Sequence, residues 1–322
     1  MATFSDLEKE YNLLLQNEMA TNPTNDIRDQ GFFLRCQQRC SMAIRMKYLQ
    51  QLEQYTGRNA IVYYSTWLQG ANLSNPNPEL SINDNDINGL MNAVCNLDKA
   101  KGLDLLLHTP GGGTTATESI VKYLRKCFAN NIRVIVPHMA MSAGTMVACS
   151  AKQIIMGKES SLGPIDPQMK GVPAEGILSE FKRAVEETST NPQMSLMWRE
   201  IISQYRPTFI GECQNAILLS QKLVEDWLKT GMFLHNKNKE QIVKNILKFL
   251  SHDASKQHDK HYDYLDCKEA GLKVVALEKD QRLQDLVLSI HHSYVLSSYA
   301  IPSYIKYIEN SRGQTFIISG AR

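Results

Sequence analysis

The 322-residue chain contains no apolar run of the roughly 18 residues needed to cross a bilayer. Its first residues, Met1 to Tyr11, lack the basic start and apolar stretch of a secretory leader. The expectation is a soluble, cytoplasmic protein without a membrane span. Excess charge of one sign is also missing, because 35 Lys and Arg face 33 Asp and Glu for a net charge of +2. That balance gives no electrostatic footprint for nucleic acid. Aromatic residues make up only 8% of the chain, and no repeat or low-complexity segment interrupts it. The seven cysteines are odd in number and irregular in spacing, and Cys95 and Cys149 sit in apolar runs, which reads as free thiols rather than a disulfide framework. Cys36 and Cys40 are spaced to share a helix face but have no second ligand pair nearby, so no metal and no cofactor is expected.

What is present is 43% hydrophobic sequence, enough to bury a sizeable core. Residues 5–57 carry apolar side chains at helical spacing, with a break at Asn22–Asn25. From Ala60 the pattern changes. Ala60–Trp67, Leu103–Leu107, Ile132–Pro137 and Gln153–Met156 read as strands, separated by helices at Asp86–Leu97, Thr114–Asn130 and Ser142–Lys152. Strand and helix alternating at this spacing imply right-handed crossovers and a parallel sheet, hence an α/β fold. After Pro173 the chain is mostly helical, around 176–187, 192–204, 207–230, 238–251 and Arg282–Tyr299. Val274–Leu277 is a candidate returning strand, and Ile305–Ile308 with Thr315–Ile318 flank a hairpin turn at Asn310–Gly313.

Two short motifs carry chemistry. The first is His108-Thr109-Pro110-Gly111-Gly112-Gly113, between a strand and a helix. Three consecutive glycines let backbone N–H groups approach a ligand closely, and at a helix start they favour negative charge. No Gly-Lys-Ser/Thr follows, so a phosphate loop is not supported; an ordinary glycine turn is the plain alternative. The second is Met141-Ser142-Ala143-Gly144-Thr145, after the next strand. A serine there is ordinarily a helix cap. Together the motifs place a hydroxyl and several free N–H groups at the carboxyl ends of neighbouring parallel strands, where open α/β sheets bind ligands.

With Ser160-Ser161-Leu162-Gly163-Pro164-Ile165-Asp166-Pro167-Gln168 following, this order of motifs resembles the ClpP and signal-peptide-peptidase A peptidases. It most closely resembles the serine dehydrogenase proteinase family, on the ClpP/crotonase fold. Beside the helical extension read over 1–57, the resemblance implies a ClpP/SppA-like α/β core over 58–190 and a mostly helical region over 191–322 that completes the domain with a C-terminal strand pair. It implies a serine endopeptidase that forms an acyl-enzyme on Ser142, with Gly111, Gly112 and Ala143 as the oxyanion hole. It also implies a triad in the order Ser142, Asp166, His. In the family the histidine shortly precedes a small helix, matched here by Asp266–Leu272 except that Cys267 replaces an alanine. His258 is the best placed, His261 the runner-up, and His252, His291 and His292 are further candidates. The Ser–Lys chemistry of the SppA branch offers Lys182 as an alternative base, desolvated by Phe181 and Val185, with Lys170 a second option. A peptide or unfolded-protein substrate, a homo-oligomeric assembly and a separate activating partner are expected. Two rival readings share the fold: a crotonase-type acyl-CoA enzyme, for which Ser142 is dispensable, and a catalytically inactive scaffold that binds a partner.

Overall fold

The computed structural model describes residues 3–21, 30–69, 77–169, 171–251 and 260–320. The break expected at Asn22–Asn25 lies outside them. Two helices, α1 (Phe4–Ala20) and α2 (Gln30–Thr56), lead into β1 (Asn59–Ser65). Then come α3 (Asp86–Val94), β2 (Leu103–His108), α4 (Thr114–Phe128), β3 (Ile132–Val136), β4 (Met139–Ala140), α5 (Ala143–Cys149), β5 (Gln153–Met156) and β6 (Ser161–Leu162). A small pair, β7 (Gln168–Met169) and β8 (Val172–Pro173), precedes α6 (Ala174–Thr190), α7 (Ser195–Ile202), α8 (Phe209–Thr230) and α9 (Lys239–Leu250). The chain ends through α10 (Tyr264–Glu269), β9 (Val274–Ala276), α11 (Gln281–Ala300), β10 (Tyr304–Asn310) and β11 (Thr315–Ser319).

The main sheet has seven strands in the order β11-β10-β1-β2-β3-β5-β9. Strands β1, β2, β3, β5 and β9 run parallel to one another. The sequence hides the alternation of these strands because both faces of the sheet are covered. Ile61, Tyr63, Leu105, Leu107, Val134 and Val136 enter one core with α3, α4, α5, α8 and α9. Val62, Tyr64, Leu106 and Ile135 enter the opposite core with α1, α2 and α11. The C-terminal hairpin is not an appendage. β10 inserts between β1 and β11, antiparallel to both, so the parallel sheet expected from the crossovers is mixed at this edge. The turn closes where the Asn310 side chain accepts from the Arg312 and Gln314 N–H groups, at 2.9 and 3.1 Å.

A second, smaller layer sits above the carboxyl ends of β2 and β3. Thr109 bridges to Ala140, β4 pairs with β6, and Leu162 bridges to Tyr262. This layer was not legible as strands, since each piece is only one or two residues long. It carries both motifs singled out in the sequence. Among the described residues, no helix is long and apolar enough to cross a membrane.

Candidate active site

The glycine loop begins where Thr109 is bonded on both sides to the neighbouring strand, its N–H to Met139 O and its carbonyl to Met141 N–H, each at 3.0 Å. Gly111 (φ +102°) and Gly112 (φ +153°) then take backbone conformations that side chains with a Cβ rarely adopt. Space is also absent. A Cβ on Gly112 would lie 2.3 Å from Ile82 N and O, and one on Gly111 would lie 2.8 Å from Ser142 Cβ. Ile82 N–H donates to Gly111 O at 2.7 Å, and Gly113 N–H donates to Ile82 O at 2.9 Å. This parallel bridge consumes the groups on either side of Gly112 and turns Gly112's own N–H and C=O away from Ile82. The Gly111 N–H is engaged by Thr109 Oγ1 at 3.2 Å. Of the two glycines expected to supply oxyanion donors, Gly112 is therefore the one with its N–H uncommitted among the described residues.

Ser142 occupies the position before the first residue of α5, but its hydroxyl makes no capping bond. Its backbone lies at φ +50°, ψ −113°, far from the extended geometry of a capping serine. The ordinary cap explanation is thereby answered by the geometry. The turn forms because Gly144 N–H reaches back to Met141 O at 2.7 Å and because α5 is built of side chains that all fit inside. Buried Thr145 locks the turn in place. Its hydroxyl lies 2.9 Å from both Ala140 O and Gly163 O. Ala143 is the first helical residue, so its N–H has no partner within the helix. The helix is shorter than expected, ending at Cys149 rather than Lys152.

Ser142, Ala143 and Gly111–Gly113 line one cavity of about 730 Å³. Met139, Met141, Met146, Met169, Ile165 and Trp67 give it an apolar wall. His261 is the one titratable side chain among its described lining residues. The chain around His261 is fixed by Tyr262, which exchanges hydrogen bonds of 3.0 and 2.8 Å with Leu162. The His261 ring itself is exposed, with Nδ1 3.0 Å from Ser161 Oγ.

Asp166 is buried, 3% exposed, between Ile165 and Pro167, which line the cavity while Asp166 does not. Its charge is felt instead by the Cys213 thiol on α8, which burial pushes up, with Glu212 and Asp166 adding to it. His258, the first choice of base, and His252 and Lys170 lie outside the described residues. The chain on either side of His258 is nevertheless pinned next to Asp166. Ile165 N–H donates to Leu250 O at 3.0 Å before the segment, and Leu162 pairs with Tyr262 after it. Lys182, the alternative base, is placed apart from the cavity. It lies exposed on α6 and does not line the cavity. Val185, expected to help desolvate it, is itself 66% exposed. The amphipathic α6 turns the Phe181 ring, not the lysine, toward Tyr205.

Sequence reasoning missed a histidine cluster beside the cavity. His108 is fully buried, its ring 4.3 Å from Trp67 and 4.4 Å from Tyr64 between centroids, with His138 and His291 at 5.6 and 5.5 Å. His291 Nδ1 is hydrogen-bonded to the Tyr64 hydroxyl at 3.0 Å. Burial pushes the His108 pKa well below its ordinary value, and pushes His291 down to about 3. It lowers His138 too, helped by the charge of His261. The residues come from β2, the β3–β4 turn and α11, so no spacing in the sequence announces them. Among the described residues no group of three His, Cys, Asp or Glu side chains is arranged to hold a metal ion.

The sequence profile of a family described as ClpP-like SDH-type serine proteinase matches residues 34–276. Two uncharacterized proteins of Methanocaldococcus jannaschii are similar to the chain. One is 33% identical over 189 residues, 59% of this chain and 59% of that protein. The other is 44% identical over 87 residues, 27% of this chain and 30% of that protein. The chain thus spans less than two thirds of the length of either relative.

Proposed function

We propose, from the premise that this chain belongs to the ClpP-like SDH-type serine proteinases, that it hydrolyses peptide bonds through an acyl-enzyme on Ser142. The observation that carries the reading is the uncapped, positive-φ Ser142 packed against Gly111 at the wall of the cavity. Ser142 Oγ attacks the peptide carbonyl while a histidine takes its proton. The resulting oxyanion is held by the N–H groups of Gly112 and Ala143. The intermediate collapses, the histidine returns the proton to the departing amine, and water then releases the acyl group by the same path. Substrate lies along Gly112 as an added strand, using the N–H and C=O turned away from Ile82.

The base comes from the segment that carries His258 and His261, with buried Asp166 orienting the ring. The anchors at Leu250 and Tyr262 hold both ends of that segment beside the cavity. The protein acts as a homo-oligomer, which accords with Val185 at 66%, Leu196 at 70% and Leu218 at 64% exposure on successive helices. Light scattering that returned a 36.4 kDa particle would overturn the assembly.

Casein cleavage and fluorophosphonate labelling test the chemistry. Wild type is expected to cleave and to label, and Ser142→Ala to lose cleavage by about 10³-fold or more and all labelling. His258→Ala and His261→Ala, run side by side, name the base, and Lys182→Ala is expected to be neutral. Cleavage unchanged in Ser142→Ala overturns the reading. Turnover of an acyl-CoA thioester that survives Ser142→Ala would replace it with enolate chemistry on the same oxyanion hole.

A further inference from the structure

Two charged groups lie fully buried below the glycine loop, and the chemistry of the serine does not use them. Lys306 on β10 and Asp86 at the start of α3 are each 0% exposed. Lys306 Nζ donates to Asp86 Oδ1 and to the main-chain oxygen of Ser81, both at 2.8 Å. Asp86 Oδ2 accepts from the Tyr63 hydroxyl at 2.7 Å and from Asn83 N–H at 3.0 Å. The pair therefore grips main-chain atoms of Ser81 and Asn83, on both sides of Ile82. Ser65 Oγ adds a third grip, donating to Leu80 O at 2.7 Å.

Ile82 is the residue that bridges Gly111 and Gly113 and turns the N–H of Gly112, a residue lining the cavity, away from itself. Ser81 itself lines that cavity. An apolar side chain at 306 would pack as well and would not carry the desolvation cost of a buried ion. It could not donate to Ser81 O. Burial pushes the Lys306 pKa down, opposed by Asp86 and then Glu79, so the lysine holds its place against a desolvation penalty.

We propose that the Lys306–Asp86 pair is a positioning device for the oxyanion hole, acting on Gly112 through the main chain of Ser81–Asn83. The catalytic part of this rests on the peptidase reading above. The structural part does not, and the test separates them.

The test uses the full chain with Lys306→Met/Asp86→Asn, which removes both charges at once and leaves an acceptor for Tyr63 and Asn83. Amide hydrogen exchange is followed at Ile82 and Gly113, and peptide cleavage is measured alongside. Exchange at both amides is expected to speed up at least tenfold, with global stability near wild type. The kcat is expected to fall at least tenfold with KM changed less than twofold, since the donor acts on the transition state. The single variant Lys306→Met, which strands a buried carboxylate, serves as the comparison if it folds. Wild-type exchange rates in the folded double variant would overturn the proposal. Faster exchange with an unchanged kcat would overturn its catalytic half. A wild type that cuts no peptide would defeat the peptidase reading instead, while the exchange result would still decide whether the pair holds the loop.

Discussion

Strand β10 carries two buried ion pairs, three residues apart and on opposite faces of the sheet. On the face that packs α3, Lys306 spends its hydrogen bonds on Asp86 and on the main chain of Ser81. On the other face, Arg45 from α2 forms a two-pronged bond with Glu309, at 2.9 and 3.0 Å, and reaches Ser297 on α11 at 2.9 Å. Tyr294 completes the second cluster by donating to Glu309 at 2.7 Å. Every partner of Arg45 is a side chain, and the guanidinium also lies 4.8 Å from the centre of the Tyr307 ring. The two pairs use similar chemistry for different ends. Bonds to side chains fasten whole elements together, here α2 and α11 onto the sheet. Bonds to main-chain atoms fix the path of a backbone, and a backbone path is what an oxyanion hole is made of.

The sharpest way to break this contrast is Arg45→Met. It leaves Glu309 buried without its cation and is expected to destabilise the fold by about 3–5 kcal/mol in urea unfolding. The folded fraction should keep its kcat within about twofold, and Arg45→Met/Glu309→Gln should recover most of the stability. A large loss of kcat in a stable double variant would show that both faces serve the site. Next in size is Gly112→Ala. Its methyl would meet the Ile82 main chain at 2.3 Å and displace the donor, so kcat should fall by about 10²–10³.

Smaller still is the pH response of the histidine cluster, which packs against Tyr64 on the face covered by α11. Between the unfolded value near 6.5 and the folded value of about 3, the unfolded chain protonates His291 and the folded chain does not. Stability is therefore full above pH 6.5 and falls as the pH drops through that window. The slope should be up to about 1.4 kcal/mol per pH unit from this one residue. His291→Gln keeps a hydrogen-bonding partner for Tyr64 and should flatten urea-unfolding stability plotted against pH. The smallest effect is expected for Ser161→Ala. It removes the bond to His261 Nδ1, worth about 0.5–1.5 kcal/mol, and should lower cleavage about threefold and the melting temperature by no more than about 3 °C.

Much of the scaffold was legible because its signals are local. Continuous apolar runs marked β1, β2, β3 and β5, and helical spacing marked α4, α8, α9 and α11 within a few residues. The Gly-Gly-Gly and Ser-Ala-Gly motifs were legible because a close backbone approach leaves few alternatives to glycine. The ion pairs were not, because a charged residue in a sequence reads as solvated. Each ion pair joins residues more than two hundred positions apart, Lys306 with Asp86 and Arg45 with Glu309, through a strand that enters the sheet out of order. Placing β10 beside β1 requires knowing that both its faces are covered, and Tyr-Ile-Lys-Tyr-Ile-Glu-Asn shows no such pattern. The short layer formed by Thr109, β4, β6 and Tyr262 was equally hidden, since one or two residues carry no period. Nor could the sequence reveal that Gly111's N–H is taken by its own turn while Gly112's is uncommitted among the described residues.

One feature of Ser142 reaches beyond chemistry. Its main chain sits at φ +50°, in a region that costs a residue with a Cβ about 1–3 kcal/mol and costs glycine little. Ser142→Gly should therefore outlast Ser142→Ala in thermal melting, although both lack a hydroxyl. Its margin over wild type would measure how far folding and reactivity pull against each other at this position. Selection for endurance alone would favour discarding the serine, so a serine held there is a compromise that only a use for its hydroxyl would sustain.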